Sequence, residues 1–460
     1  MSRKYFGTDG VRGVANKKLT PELAFKIGRA AGMYMVNNGL TPRVVIGRDT
    51  RRSGPMLGAA CAAGFCSVGV DVDDVDIAPT GCVSWLCRNN GYGLAVVISA
   101  SHNPAPDNGI KLIASSGAKV ADAVEEWIEE NLETTLEEPP IGGGVGVVTH
   151  TRDGIEAYMK WLETLVPERL EGMKVAVDGA HGAAYELGPQ IFRRLGADVV
   201  ETGIQPNGLN INEEGGATKP ETVEELTRRL DCIVGIAFDG DADRAVFSDS
   251  EGRLINGDRT MAMWCAHWQK LGELTPPVVV GTVMSNGGFE TYMKSCGITL
   301  ERANVGDKYV SMKLKELGGK IGGEQSGHII FPKNGPTGDG LVTALELLRV
   351  LKRENRKASE SFDDFANWPQ LLVNVELGSK DGWDTDPQIA EAMKMAEAKL
   401  QGRGRVNVRA SGTQPIVRVM VEADDEALRD ECSTQIVDAM INARNGRIYS
   451  RVDLTHALGD

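Results

Sequence analysis

Short apolar runs recur along the chain, each followed by a polar or glycine-rich loop and then by apolar positions at helical spacing. Three stretches share this order of strand, loop, amphipathic helix, glycine and second strand. The first begins RVVIGRDTRRSG (43–54), continues through a helical pattern to Val68 and Gly69, and ends in VDVDDVDI. The second is MKVAVDGAHGAAYELGPQIFRRLGADVVETG (173–203) and the third PPVVVGTVMSNGGFETYMKSCGITLERANVG (276–306). Strands alternating with helices of this length predict parallel α/β sheets covered by helices, with ligands gathered at the carboxyl ends of the strands. In TPELAFKIGRAAGMYMVNNG (20–39), Thr20 is placed to cap a helix that starts at Pro21 and spaces Leu23, Ile27, Ala30, Ala31 and Tyr34 on one face. Breaks fall at the Pro- and Gly-rich 133–150, at a turn-prone strand exit near 250–257, and around SFDDFANWPQ (361–370). Beyond the last break the pattern changes: VNVEL, a helix from Pro387 to Leu400, RVNVRASGTQPIVRVMVEA, and a helix from near Asp424 with Leu428, Cys432, Ile436 and Met440 on one face. The expected fold is α/β: three similar mixed α/β domains (1–150, 151–255, 256–365) plus a smaller C-terminal α+β domain (366–460).

Composition narrows the class. At 460 residues the chain exceeds a single core, and 42% hydrophobic with 25% charged residues describes a chain that folds throughout. The net charge of −14 and the lack of a dense basic stripe argue against nucleic acid as a partner. No stretch approaches the roughly 18 apolar residues of a membrane span, and MSRKYFGTDG carries no apolar signal core, so no membrane partner and a cytoplasmic location are expected. The eight cysteines include no CxxC pair and read as reduced packing residues.

The sharpest chemical signal is CIVGIAFDGDADRAVF (232–247), where a buried strand delivers Asp239, Asp241 and Asp243 into one short loop. Three carboxylates so close repel one another unless a cation intervenes, and an all-oxygen set suits a hard divalent ion such as Mg²⁺. An EF-hand fails, because its sixth and twelfth positions hold Arg244 and Ser250. A solvated acidic turn and an aspartyl phosphatase rank behind the metal site. VVISASHNPAPDNGIKLI (96–113) places Ser101 in a polar loop between two strands, stiffened by the Asn103-Pro104 step. Its hydroxyl reads either as a nucleophile or phosphate carrier, or as a turn residue bonding its own backbone, and the motif alone favours the turn. His102 is expected to point away if the backbone stays extended, and Lys111 returns a positive charge toward the loop.

In RVNVRASGTQPIVRVMVE (405–422), alternation turns Arg409 and Arg418 outward beside a loop carrying Ser411, Gly412 and Thr413. Forked cations, hydroxyls and backbone N–H groups are what a phosphate dianion needs. GGEQSGHIIF (322–331) alternates Glu324, Ser326 and His328 between glycines, a pattern suited to sugar hydroxyls.

Taken together and in order, YFGTDGVRGVAN (5–16), SASHNPAPDNGIK (99–111), NGLNIN (207–212), DGDADR (239–244), VGDKYV (305–310), GEQSGH (323–328) and RASGTQP (409–415) resemble the α-D-phosphohexomutase superfamily over nearly the whole chain. The opening and NGLNIN point to its amino-sugar branch. The resemblance implies four domains around a central cleft. It implies a phosphoserine at Ser101, and one Mg²⁺ held by Asp239, Asp241, Asp243 and a phosphoserine oxygen. It further implies conversion of glucosamine 6-phosphate to glucosamine 1-phosphate through a sugar bisphosphate, feeding UDP-N-acetylglucosamine synthesis; an oligomer is compatible with it. By the same likeness Arg12 and Lys111 surround the transferring phosphate, Arg244 steadies the metal loop, Glu324, Ser326 and His328 meet the sugar, and Arg409, Ser411, Gly412, Thr413 and Arg418 hold the phosphate that is not reacting. The chain departs from the family pattern at Gln414, usually Glu, at Lys308, usually Arg, and at GGATK (215–219). Mutases acting on glucose or mannose phosphates, and a sugar-phosphate-binding protein without turnover, are the competing readings.

Overall fold

The structure, a computed structural model, describes residues 4–7, 9–379, 381–411 and 415–455. All three strand–helix–strand stretches form as the pattern predicts: Arg43–Arg48, Gly54–Cys66 and Asp71–Ile77; Lys174–Asp178, Leu187–Arg194 and Asp198–Thr202; Val278–Thr282, Gly287–Ser295 and Thr299–Ala303. Contacts divide the chain into two compact units, residues 1–283 with 301–361 and residues 284–300 with 362–460.

The first unit contains a seven-stranded mixed sheet ordered Phe6–Gly7, Gly10–Val14, Asp107–Ala114, Leu94–Ile98, Arg43–Arg48, Asp71–Ile77, Val148–His150. Its central strand, LAVVI, is buried at every position, as an apolar run covered on both faces must be. The helix Pro21–Asn37 begins where expected, with the Thr20 hydroxyl accepting the Leu23 N–H at 3.3 Å. Leu23, Ile27, Phe65, Val44, Ile46, Val96 and Leu112 share one core. Gly28 and Gly64 let the helix Pro21–Asn37 lie backbone to backbone on Gly54–Cys66, since a Cβ at either would meet carbonyl oxygen at 2.1 or 2.2 Å.

A second, five-stranded sheet orders Leu254–Ile255, Ala245–Asp249, Val234–Phe238, Lys174–Asp178, Asp198–Thr202. In a third, Val278–Thr282 pairs in parallel with Gly322–Gly323, which pairs antiparallel with Ile329–Ile330. Each of these sheets directs the carboxyl end of an inner strand into a polar loop: residues 99–106, 239–244 and 324–328.

The second unit is built on an antiparallel sheet ordered Gly404–Ala410, Ile416–Ala423, Gln370–Glu376, Arg447–Asp453. The helices Pro387–Leu400 and Glu426–Arg444 bury Ile389, Ala396, Cys432, Ile436 and Met440 against Val373, Val375, Val417, Val419 and Val421. Asp425 caps the second helix through Leu428 N–H. Among the described residues no helix is long and apolar enough to cross a membrane. All eight cysteines are free thiols, seven of them buried.

Candidate active site

Ser101 follows Leu94–Ile98 and adopts φ +51°, a left-handed conformation that a residue with a Cβ holds only when its surroundings impose it. The side chain is buried, and its hydroxyl donates to Asp239 Oδ2 at 2.7 Å. The loop is therefore not extended, and the expectation that His102 points elsewhere is corrected: the left-handed turn brings His102 Nδ1 to 3.4 Å from Ser101 Oγ.

Asp239 lies at the carboxyl end of Val234–Phe238, and the chain turns sharply through Ala242 at φ +54°. That turn gathers one oxygen each from Asp239, Asp241 and Asp243 within 4.8 Å of one another, all three residues buried. Oδ1 of Asp241 and Oδ1 of Asp243 have no hydrogen-bond donor. Buried carboxylate oxygens left without donors cost several kcal/mol in the absence of a cation. An all-oxygen set of this kind fits a hard divalent metal.

The electrostatics agree with that reading. Burial, and then Asp243 and Asp241, push the Asp239 carboxyl well above the ordinary range. Burial acts on Asp243 in the same direction, but Lys111 and His328 prevail and hold it ionised, well below its usual value. Lys111, on Asp107–Ala114, lies 2.9 Å from Asp241, 3.0 Å from Asp9 and 3.6 Å from Asp243. Burial favours its neutral form, yet Asp241, Asp9 and Asp243 overcome that and keep the ammonium protonated.

Arg12 pairs with Asp9, so Asp9 joins Arg12 to Lys111. Arg244 donates its backbone N–H to Asp239 Oδ1 at 3.2 Å and brings its guanidinium to 4.0 Å from Asp243. Asp241 also accepts the Thr80 hydroxyl at 2.8 Å, and its carbonyl accepts the Thr80 N–H. His328 places Nδ1 3.6 Å from Asp243 while Nε2 accepts the Gly338 N–H at 3.2 Å. Ser326 is buried in the same 324–328 turn, and Glu324 accepts the Gly306 N–H at 2.8 Å, tying the turn to the VGDKYV stretch. In that stretch Lys308 pairs with Asp122.

Of the residues singled out from sequence, Ser101, Lys111, Arg12, Arg244, the aspartate trio and His328 are linked in one network. In the second unit Arg409 and Arg418 stand directly opposite across the strand pair Gly404–Ala410 and Ile416–Ala423. Burial and the facing Arg418 lower the Arg409 pKa. Ser411 closes the hairpin with its N–H on Ile416 C=O at 2.8 Å; Gly412, Thr413 and Gln414 lie outside the described residues.

Sequence reasoning passed over Asp9, Thr80, Arg51, Asn212 and Gly240. The last sits where the metal loop meets the serine loop, and a Cβ there would lie 2.4 Å from Ser101 O and 2.8 Å from Asn212 Nδ2. Gly240→Ala must force the two loops apart. We expect it to destabilise the fold by about 1–3 kcal/mol, read as a lower denaturant midpoint, and to weaken metal binding.

Comparison with known proteins accounts for this arrangement. The four phosphoglucomutase/phosphomannomutase domain models match in order: α/β/α domain I at residues 3–139, domain II at 156–252, domain III at 256–367 and the C-terminal domain at 372–439. Phosphoglucosamine mutase of Desulforamulus reducens is 45% identical over 92% of this chain and 96% of its own length. That of Symbiobacterium thermophilum is 44% identical over 95% and 98%. Among solved structures, a phosphoglucomutase/phosphomannomutase family protein from Burkholderia thailandensis superposes with a TM-score of 0.79 at 24% identity, covering 96% of this chain and 98% of that one. With the aspartate loop, the buried serine and all four domains in register, the chain belongs to the phosphoglucosamine mutase family of the α-D-phosphohexomutases.

Proposed function

We propose that the protein interconverts glucosamine 6-phosphate and glucosamine 1-phosphate, and that Ser101 carries the phosphoryl group between them. The observation that carries this reading is the placement of a buried serine hydroxyl 2.7 Å from one member of a buried three-carboxylate cluster. A protein that merely bound sugar phosphates would have no use for such a hydroxyl there.

In the forward direction O1 of the substrate attacks the phosphorus on Ser101. The bond from phosphorus to Oγ breaks, the bond to O1 forms, and the O1 proton leaves to a nearby base. The resulting bisphosphate turns over, Ser101 Oγ gives up its proton and attacks the phosphorus on O6, the bond from phosphorus to O6 breaks, O6 takes up a proton, and glucosamine 1-phosphate departs. Asp239, Asp241, Asp243 and a phosphoserine oxygen would hold Mg²⁺, which supplies a Lewis acid that neutralises charge on the phosphoryl oxygens. Lys111, kept cationic by its carboxylate neighbours, and Arg12 sit on the same side and oppose the charge that develops on the transferring group. Glu324, Ser326 and His328 are assigned to the sugar, and Arg409, Ser411, Gly412, Thr413 and Arg418 to the phosphate at rest. The product would feed UDP-N-acetylglucosamine synthesis.

Two measurements test the reading. Intact mass and peptide mapping after incubation with a hexose bisphosphate are expected to find one phosphate, on Ser101. Comparison of kcat/KM for glucosamine, glucose and mannose phosphates is expected to rank glucosamine first, by roughly tenfold or more. A preference for glucose or mannose would move the chain's activity to the sister mutases, and absence of turnover on all three would remove it from the class.

A further inference from the structure

We infer that Arg51 and Asn212 are positioning residues that hold the Ser101 peptide in its left-handed conformation, and thereby decide whether a phosphoryl group on Ser101 passes to sugar or to water; the inference rests on the mutase reading above. Arg51 is fully buried, side chain and partner alike, in an ion pair with Asp49. Its guanidinium is spent on the serine loop. Nε donates to Asp49 Oδ2 at 2.9 Å, Nη1 to Pro104 O at 2.5 Å, and Nη2 to both Ser101 O at 2.9 Å and Asn103 O at 2.7 Å. Asn212, the last residue of NGLNIN, reaches the same two carbonyls from the five-stranded-sheet domain: Nδ2 donates to Ser101 O at 2.9 Å and to Asn103 O at 3.2 Å. Both hydrogens of that amide are thus used, and the opposite orientation would set its oxygen against two carbonyl oxygens.

The other side of the Ser101 peptide is held as firmly. Ser101 N–H donates to Ser99 Oγ at 2.9 Å, and Ser99 in turn donates to Asp49. Asp49, Arg51 and Ser99 therefore grip both the N–H and the C=O of Ser101, while Asn212 fixes the loop to the domain that carries the aspartates. Only a planar fork can serve three carbonyls and a carboxylate at once, which a lysine cannot do. Asn212 itself sits at φ +58°, a conformation asparagine tolerates. With the Arg51 and Asn212 bonds removed, the Ser101 C=O loses its donors and the Ser101 N–H bond to Ser99 and the Asn103 N–H bond to Ala100 C=O are left to hold the turn, so Oγ is freer to swing away from Asp239.

A misplacement of about 1 Å costs on the order of 100-fold in a transfer that depends on alignment. Arg51→Lys is expected to lower kcat by about 10- to 100-fold with KM for the sugar phosphate within about threefold of wild type. Phosphate released to water per turnover should rise in parallel. Asn212→Gly, which keeps a residue at ease at φ +58°, should give a milder loss of the same kind, and Asn212→Asp, which turns two donors into acceptors, a larger one. A merely structural role would lower the melting temperature but leave kcat of the folded protein and the sugar-to-water partition unchanged, and that result overturns the inference. Should Arg51→Lys fail to fold, the two Asn212 variants decide by the same readouts. Wild-type protein without turnover would sink the mutase reading, whereas active wild type with equally active folded variants would sink the clamp alone.

Discussion

Ser101→Ala is expected to lose mutase turnover by at least about 10³-fold while melting within a few degrees of wild type. Removing the hydroxyl takes away the atom that accepts and returns the phosphoryl group, and neither the second hydroxyl of the loop nor His102 can replace it. Ser99 Oγ is engaged with Ser101 N–H and Asp49. The fold should survive because the substitution deletes only the hydroxyl's bonds to Asp239 and His102 and leaves the carbonyl clamp intact. Steady-state assay and thermal melting of the same preparation check both halves. Turnover within tenfold of wild type would show that Ser101 is not the carrier.

Asp239→Asn is expected to have opposite effects on stability and activity. In the folded, metal-free protein the Asp239 carboxyl is held well above its ordinary value, by burial and then by Asp243 and Asp241. The folded state therefore binds that proton more tightly than the unfolded chain does. Ionising the group costs stability as pH rises from the ordinary carboxylate range, near 4, upward through the folded-state value. At neutral pH and in a chelator the asparagine variant should melt higher than wild type, by on the order of 1–2 kcal/mol, and should show less loss of stability as pH rises. Addition of magnesium should reverse the order, because only the intact trio gains from the ion. Mutase turnover should fall by roughly 10³-fold. Calorimetry with and without magnesium, across pH, reads the first two effects. A variant that is less stable than wild type in chelator would contradict the picture of three mutually repelling buried carboxylates.

Much of the fold was legible because its signals are local. The three strand–loop–helix–strand stretches alternate between short apolar runs and helical spacing, and each forms where the pattern puts it. Thr20 and Pro21 announced a helix start that the structure reproduces. The aspartate loop was legible for the same reason, since three carboxylates in five residues need no tertiary information to be recognised as crowded.

What the sequence withheld depends on contacts between distant segments. Ser101 in isolation reads as a turn residue; its place beside Asp239 exists only once two sheets meet. The misreading of His102 has a narrower origin, a single left-handed residue that alternation rules cannot foresee. Arg51 lay in a stretch read for its strand and helix, with no local mark that its guanidinium is buried. Asn212 closes the NGLNIN motif with no local sign of a task, because its amide acts on carbonyls of a different domain. Asp9 and Thr80 were hidden in the same way, each being an unremarked side chain until its partner in a remote loop is known.

The span of those contacts bears on how the protein is made. Ser101 and Asp239 are 138 residues apart, and Thr80 and Asp241 are 161 apart. A nascent chain still on the ribosome, with its first sheet finished and its second unborn, owns the serine but none of the aspartates. The site is built from contacts of long sequence separation, whose loop closure must be met before they form. Until that second sheet has been made, the serine has no carboxylate cluster to face, so the pairing of Ser101 with Asp239 waits on both sheets.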